Sequence, residues 1–126
     1  DTVEAEELTG RRLTALADMA GLATTLRAAG AAEIVMVAAG AQGTVIACED
    51  WTGLTRPPVV VPHSKIGAGD SFVAAFAMSL ARGEDPVTAC SWGTAAAASA
   101  VQEEGTRLCQ RADTERFFAA VERTAL

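Results

Sequence analysis

Two glycines flank one small residue, and an acid follows at once, in the run Gly67-Ala68-Gly69-Asp70. Beyond it, Phe72, Val73, Phe76, Ala77 and Leu80 recur at helical spacing. A helix is therefore expected to start at the glycines. The first turn of a helix presents N–H groups with no intrahelical partner, at the positive end of the helix dipole. Glycines let an anion approach that backbone, because no Cβ stands in the way. Asp70 repels a phosphate, but it can take a proton from a hydroxyl held beside one. Amides that stabilise charge on a moving phosphoryl group, with an acid that activates the attacking oxygen, are the parts phosphoryl transfer needs. The alternative reading of the same four residues is a helix cap with an acid in the first turn. A glycine signature this short does not decide between them.

The surrounding elements must position that turn. Helices are expected over Glu4–Leu13 and Ala15–Ala29, with Gly30 as a stop. Ile34–Ala38 reads as a buried strand, followed by a glycine turn over Gly40–Gly43. Thr44–Cys48 and Trp51–Thr55 read as a hairpin turning at Glu49-Asp50. Val59–Val61 reads as a further strand ending at Pro62. The glycine-led helix is expected to reach Arg82, with Gly83 ending it. Asp85-Pro86 then caps a helix running to Val101 and rich in Ala, Ser and Gly. Such small residues admit another backbone or a flat ligand. A last helix is expected over Asp113–Arg123, with Phe117, Phe118 and Val121 inward. Strands mixed with helices predict an α/β sheet covered by helices.

Composition bounds the function. The chain has 126 residues, half of them apolar and 21% charged, which suits one globular domain. The net charge of −6 argues against nucleic acid as a partner. No apolar run approaches the ~20 residues of a membrane span, and no secretory or transit pattern is legible. Cys48, Cys90 and Cys109 are odd in number and widely spaced, which fits reduced core thiols in a cytoplasm rather than a zinc site. His63, Trp51, Trp92 and Arg11-Arg12 read as structural or surface residues.

The run IGAGDSFVAAF, the alanine-rich helix after it and Glu103-Glu104-Gly105-Thr106-Arg107-Leu108 resemble the phosphofructokinase B family of carbohydrate kinases, within the ribokinase-like superfamily. Val37–Gly43 is similar to the family's strand followed by a G-x-x-G nucleotide loop, and Glu4–Gly10 to the segment after its N-x-x-E motif. The resemblance implies a ribokinase-like three-layer sandwich. It makes Asp70 the catalytic base, and the backbone of Gly67, Ala68 and Gly69 the anion hole for the γ-phosphoryl group of ATP. Ala38, Gly40, Gly43, Lys65, Ala97 and Ala100 then lie on the nucleotide, the last two toward its adenine. Glu4 acts near Mg²⁺ through water. Ser64, Ile66, Ala100, Glu103, Gly105 and Arg107 correspond to positions that bind a monovalent cation, K⁺, mostly through backbone carbonyls.

Three positions depart from the family pattern. Asp1 stands where the family has Asn, which adds a charge beside the phosphates. Ala38 stands where Ser or Thr is common, and Lys65 where Thr is common. Lys65 either neutralises phosphate charge or is an ordinary solvated lysine. Ser64–Asp70 and Gly105–Cys109 are similar to the phosphosugar branch, which implies fructose 6-phosphate as the substrate. 1-Phosphofructokinase, tagatose-6-phosphate kinase, a ribokinase-like activity and a non-catalytic nucleotide-binding module are the alternatives. Residues 1–126 are expected to be the C-terminal, nucleotide-binding portion of a longer, homo-oligomeric (dimeric) cytoplasmic enzyme. Its sugar-binding half and β lid are absent from this sequence, and the portion alone is expected to be inactive.

Overall fold

A computed structural model describes residues 1–126. They form two compact units: residues 1–55 with 123–126, and residues 56–122.

In the first unit, α1 (Thr2–Thr9) starts on a reciprocal cap. Asp1 accepts from the Glu4 amide at 3.0 Å, and the Glu4 carboxylate pairs with the Asp1 amino group. Gly10, at φ 66°, ends the helix. The Leu13 amide then donates to Glu6 at 2.7 Å, which turns the chain and buries Leu13. α2 (Leu16–Ala28) follows a residue, Ala15, that has no side chain to cap it. Asp18 reaches back instead and accepts from the Ala15 and Thr14 amides and the Thr14 hydroxyl. These bonds, the Ala15 amide foremost, hold its carboxyl below the usual range. β1 (Val35–Ala38), a 3₁₀ turn over Gly40–Gln42, β2 (Thr44–Ala47) and β3 (Thr52–Arg56) form an antiparallel meander, with Met36 opposite Ile46 and Val45 opposite Leu54. β4 (Glu122–Ala125) completes the order β1-β2-β3-β4. The core lies where Met19, Leu22 and Ala23 of α2 meet Val37, Val45 and Leu54 of the sheet.

The second unit is helical. α3 (Ala68–Ala81), α4 (Pro86–Gln102) and α5 (Arg111–Ala120) pack with α4 between the other two. Asp85 caps α4 by accepting from the Val87 and Thr88 amides, both at 3.0 Å. Ten residues of α4 are buried, all of them Ala, Ser, Thr, Cys or Gly. Their size is what lets two helices close on it. At Gly93 the Phe72 ring of α3 lies 2.8 Å from where a Cβ would stand. On the α5 side, Trp92 and Phe118 stack with centroids 3.8 Å apart. No helix is long and apolar enough to cross a membrane.

The expected order of elements holds up to Thr55, and two segments beyond it differ. Val59–Val61 forms no strand: Val59 and Val61 are exposed and only Val60 packs inward, against the cluster around Phe117. The final helix ends at Ala120, and β4 takes the residues after it. The first helix is also shorter than its apolar spacing suggests, because Gly10 leaves the right-handed region. β1 is half-buried at Val35 and Met36 rather than sealed on both faces.

Candidate active site

The glycine-led turn is where the sequence places it, at the start of α3. Gly67 is the N-cap residue, at φ 80° and ψ −3°. That left-handed conformation strains any residue with a Cβ. A Cβ there would also meet Leu108 Cδ2 at 2.7 Å, so only glycine fits. The first helical bond of α3 runs from the Ser71 amide to the Gly67 carbonyl, at 2.9 Å. The Gly69 and Asp70 amides therefore precede the helical ladder and have no backbone acceptor. Gly69 is exposed, and no atom lies within 4 Å of the place a Cβ would take. Asp70, in the first turn, is exposed and belongs to no salt bridge. The arrangement offers bare amides and a free carboxylate on one open helical turn.

Two segments brace that turn within the second unit. Before it, the His63 and Ser64 amides both donate to the Val101 carbonyl at the end of α4, at 2.7 and 3.2 Å. Ser64 Oγ then accepts from the Ile66 amide at 3.1 Å. Lys65 and Ile66 are exposed. After α4, the loop over residues 103–110 returns to the turn. Glu103 caps α4 by donating its amide to Ala100 O at 3.1 Å. Its carboxylate faces Arg107 at 3.8 Å. Gly105 turns left-handed at φ 67°, and the Glu103, Gly105 and Arg107 carbonyls accept no backbone hydrogen bond. No group of three or more His, Cys, Asp or Glu side chains is placed to hold a metal.

A cleft of about 400 Å³ opens beside the end of α4, with Val60 and Phe117 among its walls and Gln102, Glu103, His63 and Arg116 supplying polar groups. Gln102 and Arg116 are both held by Asp113, each at under 3 Å. Sequence reading missed this cleft, because it took the valines for a strand and Phe117 for core alone. Ala97 of α4 is half-buried and Ala100 fully buried.

The remaining residues belong to the first unit. Ala38 ends β1, paired with Thr44. Gly40, at φ 58°, is exposed and has open space where a Cβ would lie. Gly43 (φ 115°) accepts at its carbonyl from the Ala39 amide at 2.8 Å, which closes a compact loop at the strand end. Glu4 remains largely exposed despite its contact with Asp1.

Comparison with known proteins supplies the context for these parts. The model of the pfkB family carbohydrate kinases matches residues 2–113. The chain is 33% identical over 120 residues to the ATP-dependent 6-phosphofructokinase isozyme 2 of Escherichia coli, covering 95% of this chain and 39% of that enzyme. It is 32% identical over 121 residues to the Escherichia coli 1-phosphofructokinase, covering 94% of this chain and 38% of the relative. The crystal structure of Escherichia coli phosphofructokinase-2 in complex with potassium matches the fold with a TM-score of 0.89 at 33% identity, over 94% of this chain and 38% of that one. The chain thus spans about two fifths of the length of these relatives.

Proposed function

The chain belongs to the pfkB family of carbohydrate kinases, and we propose that residues 1–126 are the nucleotide-binding portion of an ATP-dependent phosphosugar kinase. In this reading the backbone of Gly67, Ala68 and Gly69 receives the transferring phosphoryl group, and Asp70 takes the proton of the sugar hydroxyl. The hydroxyl oxygen bonds to phosphorus as the bond to the leaving ADP breaks. The single observation that carries the reading is the exposed, unpaired Asp70 on an open glycine-led helical turn. A module that only binds nucleotide has no use for an acid beside the phosphates.

The cleft beside Val60 and Phe117 offers apolar walls for the adenine base. Mg²⁺ would neutralise phosphate charge, with Glu4 acting through water. A K⁺ ion would take the carbonyls of Ser64, Ile66, Ala100, Glu103, Gly105 and Arg107. The proposed reaction converts fructose 6-phosphate to fructose 1,6-bisphosphate, in line with the relatives at 33% and 34% identity. Phosphorylation of fructose 1-phosphate is the second reading, favoured by the 32% identity to 1-phosphofructokinase.

The test uses the intact polypeptide that carries this chain, with ATP, Mg²⁺ and each fructose monophosphate. Asp70→Asn is expected to lower kcat by roughly 10²–10⁴-fold, the usual range for a lost general base, with nucleotide affinity kept within a few fold. A loss under about tenfold would remove Asp70 from the role of base.

A further inference from the structure

One buried hydroxyl beside the proposed base has a partner far away in sequence. Ser71 follows Asp70 directly, yet it is only 3% exposed while Gly69 and Asp70 face solvent. Its Oγ accepts from the Cys109 amide at 3.2 Å, across 38 residues of chain. The next amide, that of Gln110, donates to the buried Ser99 Oγ of α4 at 2.8 Å. Ser99 in turn donates to the Gln110 carbonyl at 3.4 Å. Two consecutive amides thus end on two buried serines, one from α3 and one from α4. Leu108, the residue before them, lies against Gly67.

We propose that Ser71 is a positioning residue: its hydroxyl fastens the loop over residues 103–109 to the first turn of α3, and so fixes the direction of the Gly69 and Asp70 amides and of the Asp70 carboxylate. The reason is geometric. The first turn of a helix has no ladder bonds of its own before Ser71, so its amides are aimed by whatever holds that turn from outside. Electrostatic stabilisation of a moving charge depends on donors already in place, and small misplacements are costly. Ser99 holds the same segment from α4 and does not touch the turn. It is therefore expected to contribute to stability alone.

This inference rests on the proposed kinase reading, and the experiment separates the two. In the intact polypeptide, Ser71→Ala, Ser71→Thr, Ser99→Ala and Asp70→Asn are compared for kcat, KM for ATP and Tm. Ser71→Ala is expected to lower kcat at least tenfold with KM for ATP within about threefold, while Ser99→Ala, at a comparable fall in Tm, leaves kcat within about threefold. Ser71→Thr, which keeps the acceptor, is expected to recover most of the lost kcat. Should Ser71→Ala fail to fold, a kcat for Ser71→Thr more than tenfold below the parent overturns the proposal, and one within about threefold supports it. An unchanged kcat in Ser71→Ala overturns it, as does a loss that Thr fails to recover or that Ser99→Ala reproduces. Full activity in Asp70→Asn instead overturns the base assignment and leaves the comparison of the two serines standing.

Discussion

Gly67 and Gly69 sit two residues apart and do different work. Gly67 is left-handed, and a side chain there meets both a forbidden φ and Leu108 at 2.7 Å. Gly69 is helical, with open space around its missing Cβ. Gly67→Ala is therefore expected to destabilise the second unit by about 1–2 kcal/mol from the backbone alone, and to weaken nucleotide binding as the turn shifts. Gly69→Ala is expected to keep or slightly raise stability, since alanine favours a helix by up to ~1 kcal/mol. It is also expected to lose nucleotide affinity at least tenfold, because the new methyl stands where phosphate would approach. Chemical denaturation and a nucleotide titration read the two effects apart, and a Gly69→Ala variant that binds ATP normally would remove the phosphate from this turn. The residue types made the turn legible, since Gly-Ala-Gly-Asp before an apolar helix leaves few physical options. Ser71 and Ser99 were not legible, because a small polar residue in a helix declares neither its burial nor its partner.

α4 shows how an element's composition becomes a packing rule. Its small residues were open to two readings, a seat for a flat ligand or tight helix packing, and along Gly93 the Phe72 ring decides for packing. Gly93→Ala places a methyl 2.8 Å from that ring, so α3 and α4 must separate or Phe72 must leave its rotamer. The expected cost is about 1–3 kcal/mol, the usual range for an overfilled core, read by urea denaturation; a neutral result would mean that the ring has room to swing. α3 and α4 were legible because caps announce them: Gly67 and Asp85 at the starts, Gly83 after α3. Strands fared differently. Val59–Val61 has branched residues but finds no partner strand, and β-preference without pairing does not make a strand. β4, Glu122-Arg123-Thr124-Ala125, has no apolar alternation at all. It is a strand because it lies beside β3, where the Leu126 amide reaches the Thr52 carbonyl at 3.1 Å and Gly53 leaves room for Thr124. Pairing between distant segments is a tertiary property, and a local pattern does not encode it.

At the scale of the whole chain, apolar surface and net charge oppose each other. Val73, Ala74, Ala77, Met78 and Ala81 all face solvent along one stripe of α3, with Val73 63% and Met78 55% exposed. Ile66, just ahead of the helix, is 62% exposed. A side chain of this size is worth roughly 1.5–3 kcal/mol when fully buried, so a continuous stripe favours any arrangement that covers it. The chain also carries a net charge of −6, which resists bringing two copies together at low ionic strength. The 126-residue polypeptide by itself is therefore expected to self-associate, and to do so more strongly as salt rises from about 0.01 to 0.15 M, since the Debye length falls from roughly 30 to 8 Å while apolar contact is unaffected. Sedimentation velocity across that salt range reads the mass directly. Met78→Glu, on the stripe and about two helical turns beyond Asp70, is expected to return the chain toward monomer without lowering its helix content. A monomer at all salt concentrations would mean that the stripe tolerates water. Association that weakens with salt would place the contact on opposite charges instead of on α3.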